Sequence, residues 1–278
     1  MKIVDEATVS IITLLSDFGS KDPYVAEIKA VILSIHPQAR IVDITHEIEK
    51  FNIRMGAFVL ASAAPYFPPG TIHVGVVDPG VGTKRRPIIV ETKRSYYVGP
   101  DNGLLMLAVQ KEGVGHVYHV NNPHYMLPRV SRTFHGRDIF APVAAHLARG
   151  RPPSEFGPEI QDYSLPEFAK PRVRKGGLIG EVLYIDDFGN VFSNLLEKDL
   201  KKMDIHDECT LCVKLNDKML TLKLCSAYGQ VPAGTPLAII GSSDFLEVSV
   251  NQGSASRMFK MKIGDSLQVS LQSSNQTL

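Results

Sequence analysis

The first half of the chain alternates two periods of apolar residues. VSIITLLS (Val9–Ser16) is an unbroken apolar run, as a strand covered on both faces requires. Val25, Ile28, Ile32 and Ile35 then recur at helical spacing, behind Asp22 as N-cap and Pro23 as first helical residue. RIVDIT (Arg40–Thr45) predicts a second strand. A helix from about Ile53 stops before Pro65, and TIHVGVV (Thr71–Val77) predicts a third strand. PIIVET and SYYVG add two strands, Gly103–Lys111 a helix, and DIFAPVAAHLARG a last helix capped by Gly150. This alternation implies an α/β domain over residues 1–150, with a mostly parallel, Rossmann-like sheet between helices.

Residues 151–177 break the pattern. Prolines fall at 152, 153, 158, 166 and 171, so this stretch reads as an ordered but irregular linker. From residue 178 to 278 the helical period disappears. GLIGEVLYIDDFGNVFSNL, CTLCVKL, KMLTLKLC, TPLAII, FLEVSV and DSLQVSL are short strands with turns between them, and predict a small antiparallel β-barrel domain before a polar tail, SSNQTL.

Composition narrows the function classes. The chain has 278 residues and a net charge of +1, so no strong field draws it to nucleic acid or a membrane surface, and a small molecule is the expected partner. No apolar run is long enough to span a bilayer. The N-terminus carries acids where a signal peptide needs a basic start, so a cytoplasmic location is expected. Cys209 and Cys212 form a C-x-x-C within what reads as a continuous strand, where the two side chains face opposite ways. With Cys225 they are expected to be inert thiols.

The candidate chemistry sits at strand ends. LLSDFG ends a strand in Asp17 and VVDPGVG ends one in Asp78, each followed by glycine, where an open parallel sheet binds its ligands. An aspartate there suits the vicinal hydroxyls of a ribose. Neither loop has the spacing of a dinucleotide or triphosphate fingerprint. Lys84, Arg85 and Arg86 follow Asp78, which alone indicates only a turn with a surface ion pair. Of nine histidines, His36, His116, His119 and His146 read as structural, with His116 and His119 flanking a strand. His135, in TFHGRD just before a helix, reads as site-facing. No H-E-x-x-H or H-x-H is present, so neither metal nor cofactor is expected. In the second half, IDDFGNVFSN sets Phe188 and Phe192 beside Asn190, a combination suited to a purine slot.

Taken in order, SDFG, VVDPGVG, VGPDNGLL, TFHGRDIFAPVAAHLA and IDDFGN resemble the S-adenosyl-L-methionine hydroxide adenosyltransferases, relatives of the fluorinases and chlorinases, over almost the whole chain. The resemblance implies hydrolysis of S-adenosyl-L-methionine at C5′ to adenosine and L-methionine. It also implies a homotrimer with active sites between one subunit's N-terminal and its neighbour's C-terminal domain. It places the water-holding triad on Asp78, Arg85 and His135, with Arg86 as an alternative to Arg85. Asp17 falls on the ribose ligand, Phe51 on an aromatic wall, and Phe134 beside the reaction centre. Asp186 and Ser243 fall on the methionine end, Phe188 and Asn190 on adenine contacts, and Ser254 and Ala255 on the adenine-binding backbone. The halogenases carry Tyr, Thr and Ser where this chain has Asp78, Val81 and Gly136, which implies that halide is not the nucleophile. A non-catalytic sensor of the same ligand and a metal-dependent hydrolase are the competing expectations.

Overall fold

The computed structural model describes residues 10–174, 176–215 and 218–272. Val9, the acidic N-terminus and the polar tail from residue 273 lie outside them. The described chain divides into two compact units, Met1–Leu165 and Pro166–Leu278.

The first unit is a six-stranded sheet between helices. Its strands are β1 (Ile11–Ser16), β2 (Arg40–Thr45), β3 (Ile72–Val76), β4 (Pro87–Thr92), β5 (Tyr96–Pro100) and β6 (Val114–His119), ordered β2-β1-β3-β5-β4-β6. The pairings β1–β2, β1–β3 and β3–β5 are parallel, while β4 runs antiparallel to β5 and β6. The sheet is therefore mixed, with β4 alone reversed, because β4 and β5 form a tight hairpin with no room for a crossover. His116 and His119 lie within β6 rather than flanking it.

Four helices cover the sheet: α1 (Tyr24–Ile35), α2 (Ile53–Ala63), α3 (Met106–Glu112) and α4 (Ala141–Ala148). Helices α1 and α4 pack together over the face of Ile12, Leu14, Val74 and Val76. Helix α2 lies on the other face, where a Cβ on Gly56 would meet Leu15 and Val77 side chains at 3.7 and 3.2 Å. Asn52 caps α2 by accepting from Met55 N at 3.0 Å. At α1 the cap position falls on Pro23, not Asp22, and no side chain closes it. Residues beyond Gly150 stay with this unit: His119 N donates to Pro158 O at 2.9 Å and Ile160 N to Val117 O at 2.8 Å.

Because α1 and α2 lie on opposite faces, the crossovers leaving β1 and entering β3 diverge. The carboxyl ends of those two neighbours form a topological switch point, where open α/β sheets bind ligands. Ser16 is in register with Val76, so Asp17 and the Val77–Asp78 segment leave the sheet side by side.

The second unit is a closed barrel. After the short β7 (Arg172–Arg174) come β8 (Gly177–Ile185), β9 (Val191–Leu196), β10 (Thr210–Leu215), β11 (Lys218–Cys225), β12 (Pro236–Ile240), β13 (Phe245–Val250) and β14 (Ser266–Leu271). The order β14-β10-β11-β12-β13-β9-β8 closes through a β14–β8 pairing, with β7 added outside β8. All its pairings are antiparallel except β11–β12, where Leu224 faces Ala238 in parallel. Two five-residue helices, α5 (Glu197–Lys201) and α6 (Ala255–Phe259), sit in its connections. Strand β10 begins only at Thr210, leaving Cys209 outside it, and all three cysteines are free thiols.

Candidate active site

At the switch point, Asp78 and Arg85 are buried together, with side chains 5% and 7% exposed. Arg85 grips the carboxylate in a fork: Nε donates to Asp78 Oδ1 at 3.1 Å, and Nη2 donates to Oδ2. The same Nη2 lies 3.0 Å from His135 Nδ1. A guanidinium can only donate, so Nδ1 accepts and the neutral ring carries its proton on Nε2. Burial, and then the Arg85 charge, hold His135 below the ordinary histidine pKa, so the ring is neutral near pH 7. Arg85 Nη1 is buried with no protein partner, and the guanidinium carbon sits 5.4 Å from the Phe140 ring centroid.

Local backbone builds this cluster. The Pro79–Arg85 loop turns through Gly82 at φ +76, and a Cβ there would overlap the Arg132 carbonyl oxygen. Glycine is required on both counts. His135 precedes one π-helical turn, Gly136–Phe140, which leads into α4. Such turns are enriched at functional positions. Asp138, fully buried in that turn, accepts from Arg137 Nε and from Ser131 N, each at 2.7 Å. Arg86 faces elsewhere: Nη2 donates to Asp101 at 2.7 Å and Nη1 to Asp162 at 2.8 Å, pairings that raise its pKa. The structure thus brings Arg85, not Arg86, to Asp78.

A cavity of about 230 Å³ opens beside the cluster, and Asp17, Phe51, Asp78, Phe134 and His135 all line it. Asp17 Oδ2 accepts from Phe51 N at 2.9 Å, and its carbonyl oxygen accepts from Lys50 Nζ. That amide bond holds Phe51 at φ +66, an unusual conformation for a bulky residue. Phe51 is 69% exposed. Phe134 packs edge-on against Phe18 and Tyr24, with centroids 5.7 and 5.2 Å away. Lys50, Phe18 and Tyr24 also line the cavity and were missed from sequence; the placement of Tyr24 directly after Pro23 at the helix start was the available signal.

The second unit has its own cavity, of about 650 Å³, lined by Asp186, Phe188, Asn190 and Ser254. Asp186 accepts from Asn190 N at 2.8 Å and from Asn190 Nδ2 at 2.9 Å, closing the turn. Phe188, at its tip, is 80% exposed. Gly189 tucks against Ser254, where a Cβ would overlap the hydroxyl, and its carbonyl accepts from Ser256 N at 2.9 Å. Ser254 caps α6 by accepting from Arg257 N at 3.3 Å. Ala255 is fully buried at the first position of that helix, and Ser243 is buried in the β12–β13 turn; neither side chain lines the cavity. Tyr228 does, from the β11–β12 loop, and no sequence pattern marked it.

Fold and sites define a class: an α/β unit joined to a closed barrel, with a cavity in each. The chain belongs to the S-adenosyl-L-methionine (SAM) hydroxide adenosyltransferase family. That family's N-terminal domain profile matches residues 12–157 and its C-terminal domain profile residues 180–268. The chain is 39% identical to an (R)-S-adenosyl-L-methionine hydrolase of Thermus thermophilus, over 90% of this chain and 95% of that one. It is 30% identical to a fluorinase of an Actinoplanes species, over 91% and 95% of the two chains. Among solved structures, an uncharacterized conserved protein from Thermotoga maritima superposes with a TM-score of 0.84 at 40% identity, over 93% of this chain and 99% of that one.

Proposed function

We propose that this protein hydrolyses S-adenosyl-L-methionine by attack of water at C5′, releasing adenosine and L-methionine. Relatives named (R)-S-adenosyl-L-methionine hydrolase, 35 to 39% identical over 90% or more of the chain, support the reading. The observation that carries it is the Asp78–Arg85–His135 cluster on a cavity that also holds Asp17.

The chemistry asks little at the leaving group. Sulfonium cleavage releases a neutral thioether, so no general acid is needed. The nucleophile is the difficulty, because water is weak and must be held in line with the C5′–S bond. Asp78 accepts from that water. The Arg85 guanidinium fixes the carboxylate in its planar fork and spreads its charge. Neutral His135 lines the same cavity and orders the water, whose proton goes to Asp78. Asp17 spends one oxygen on Phe51 N and keeps Oδ1 for the ribose hydroxyls. A carboxylate at position 78 repels halide, which disfavours halogenase chemistry. The proposed assembly is a cytoplasmic homotrimer with shared sites, as the family resemblance implies, and no metal or cofactor is invoked.

The test is incubation with both sulfonium epimers of the substrate in water enriched in heavy oxygen. The label is expected in the 5′-hydroxyl of adenosine, with multiple turnovers per protein and no effect of a chelator. Release of adenine, label elsewhere, or at most one turnover would overturn the reading.

A further inference from the structure

Glu247 has no part in the chemistry above, yet it is only 1% exposed on β13. A buried carboxylate is costly unless its oxygens are bonded. Asp78 and Asp138 are each bonded by an arginine. The partners of Glu247 are instead two hydroxyls, both on Oε1: Tyr228 OH donates at 2.8 Å, and Ser249 Oγ also donates. Burial, reinforced by the nearby Asp186 charge, pushes the carboxyl's pKa up. Space for its second oxygen comes from Gly241, where a Cβ would stand 3.0 Å from Oε2 and 3.3 Å from the Phe192 ring.

Tyr228 joins this buried group to the surface. Tyr228 is 41% exposed and lines the cavity of Phe188 and Asn190, while its hydroxyl reaches Glu247 on the face of β13 opposite Leu246, Val248 and Val250. The loop that carries it is held at Val231 O, which accepts from Asn251 Nδ2 at 2.7 Å, and within itself by Gln230 Nε2, which donates to Ser226 Oγ at 3.0 Å. Those bonds place the loop without touching the Tyr228 ring, whose hydroxyl is held by Glu247.

We propose that Glu247 is a positioning residue: it pins the Tyr228 hydroxyl and so fixes the Tyr228 ring as a wall of the cavity, ready for a purine face. Two aromatic rings with amides between them suit a nucleoside base. A preset wall spares the substrate the cost of ordering a side chain on binding. The inference rests on the proposed substrate.

The test compares Tyr228→Phe, Glu247→Gln, Glu247→Leu and the double variant Tyr228→Phe/Glu247→Leu, each checked by thermal melting. Tyr228→Phe, which leaves Glu247 the Ser249 hydroxyl as donor, is expected to raise KM for S-adenosylmethionine by roughly 10-fold and leave kcat within about 2-fold. Adenosine affinity by calorimetry should weaken by the same factor. Glu247→Gln keeps an acceptor and should stay within about 3-fold of wild type. Glu247→Leu, where it folds, should match Tyr228→Phe, and the double variant should be no worse than either. Unchanged KM and adenosine affinity in Tyr228→Phe, loss in Glu247→Gln, or effects that multiply would overturn the proposal. If wild type releases no adenosine from S-adenosylmethionine, the proposed function has failed instead, and adenosine binding still tests the wall.

Discussion

Arg85 Nη2 donates to His135 Nδ1 at 3.0 Å across fifty residues of sequence, while its Nε holds Asp78. One planar fork therefore sets both the carboxylate and the imidazole tautomer. Lysine cannot replace it, since a point charge on a flexible stem cannot hold two partners at fixed angles. Arg85→Lys is expected to lower kcat by about 10²-fold or more with KM little changed. Arg86→Lys, acting on Asp101 and Asp162 instead, should reduce thermal stability and leave kcat near wild type. Steady-state kinetics and melting curves of the two variants check this, and equal kcat losses would contradict it.

The His135 environment also fixes the sign of a pH effect. Its pKa is lowered by burial and by Arg85, so the ring stays neutral until the pH falls below the ordinary histidine value. Protonation would place a proton on Nδ1, facing a guanidinium that can only donate. The acid limb of kcat/KM is expected below about pH 6.5, where an unperturbed histidine would titrate. In His135→Gln that limb should disappear along with most of kcat. A limb that persists in the variant would belong to another group.

Asp17 and Asp78 leave neighbouring strands side by side, and their roles separate. In the proposed reaction Asp17 binds ribose in ground and transition state alike, and it also holds Phe51 in place, so Asp17→Ala should act chiefly on KM. In the same proposed reaction Asp78 touches only the attacking water. Asp78→Ala should lower kcat by about 10²–10⁴ and leave calorimetric affinity for S-adenosylmethionine near normal. Lost binding with kcat retained would make Asp78 a substrate anchor.

How legible these features were depended on how local they are. Asp17 and Asp78 could be read because apolar strands end abruptly at a carboxylate and a glycine, a signal within a few residues. The choice between Arg85 and Arg86 could not, since it depends on which side of the loop each faces and on Asp101 and Asp162 far along the chain. The barrel strands showed in their alternation, but alternation carries no direction, so the parallel β11–β12 pair was read as antiparallel. Helices α5 and α6 are five residues each, too short to display a 3.6-residue period. Tyr228 acquires its role through Glu247, nineteen positions away in sequence.

Gly82 gives a test of the loop itself. Its φ of +76 and the carbonyl of Arg132 against it leave no room for a methyl group. Gly82→Ala should displace the loop that carries Arg85, cutting kcat by about 10-fold or more while the barrel unit melts unchanged, because small misplacement at a reacting centre is costly. Gly70→Ala, at φ +83 with open space around it, supplies the comparison: a similar backbone cost without the clash, and no expected loss of kcat.

His73 predicts how stability depends on pH. It is fully buried on β3, its Nδ1 bonded to Thr13 Oγ1 at 2.8 Å and its ring stacked on Tyr97 at 4.9 Å. Burial, with the Arg94 charge adding to it, lowers its pKa to about 3. Unfolded, it titrates near the ordinary value of about 6.5. Between these values the unfolded chain binds a proton that the folded chain does not, so stability rises with pH there and is lost as pH falls from about 6.5 toward 3. At pH 5 the loss from this one residue is about 2 kcal/mol, with the ordinary pKa as unfolded reference. His119 and His146 are lowered as well and add to it in the same direction. Urea denaturation at pH 7.5 and pH 5 should therefore show a clear drop in wild type. In His73→Asn, less stable at both values, the drop should shrink by about 2 kcal/mol, the His73 contribution. An equal drop in both proteins would mean that the buried imidazole is not the source of the acid sensitivity.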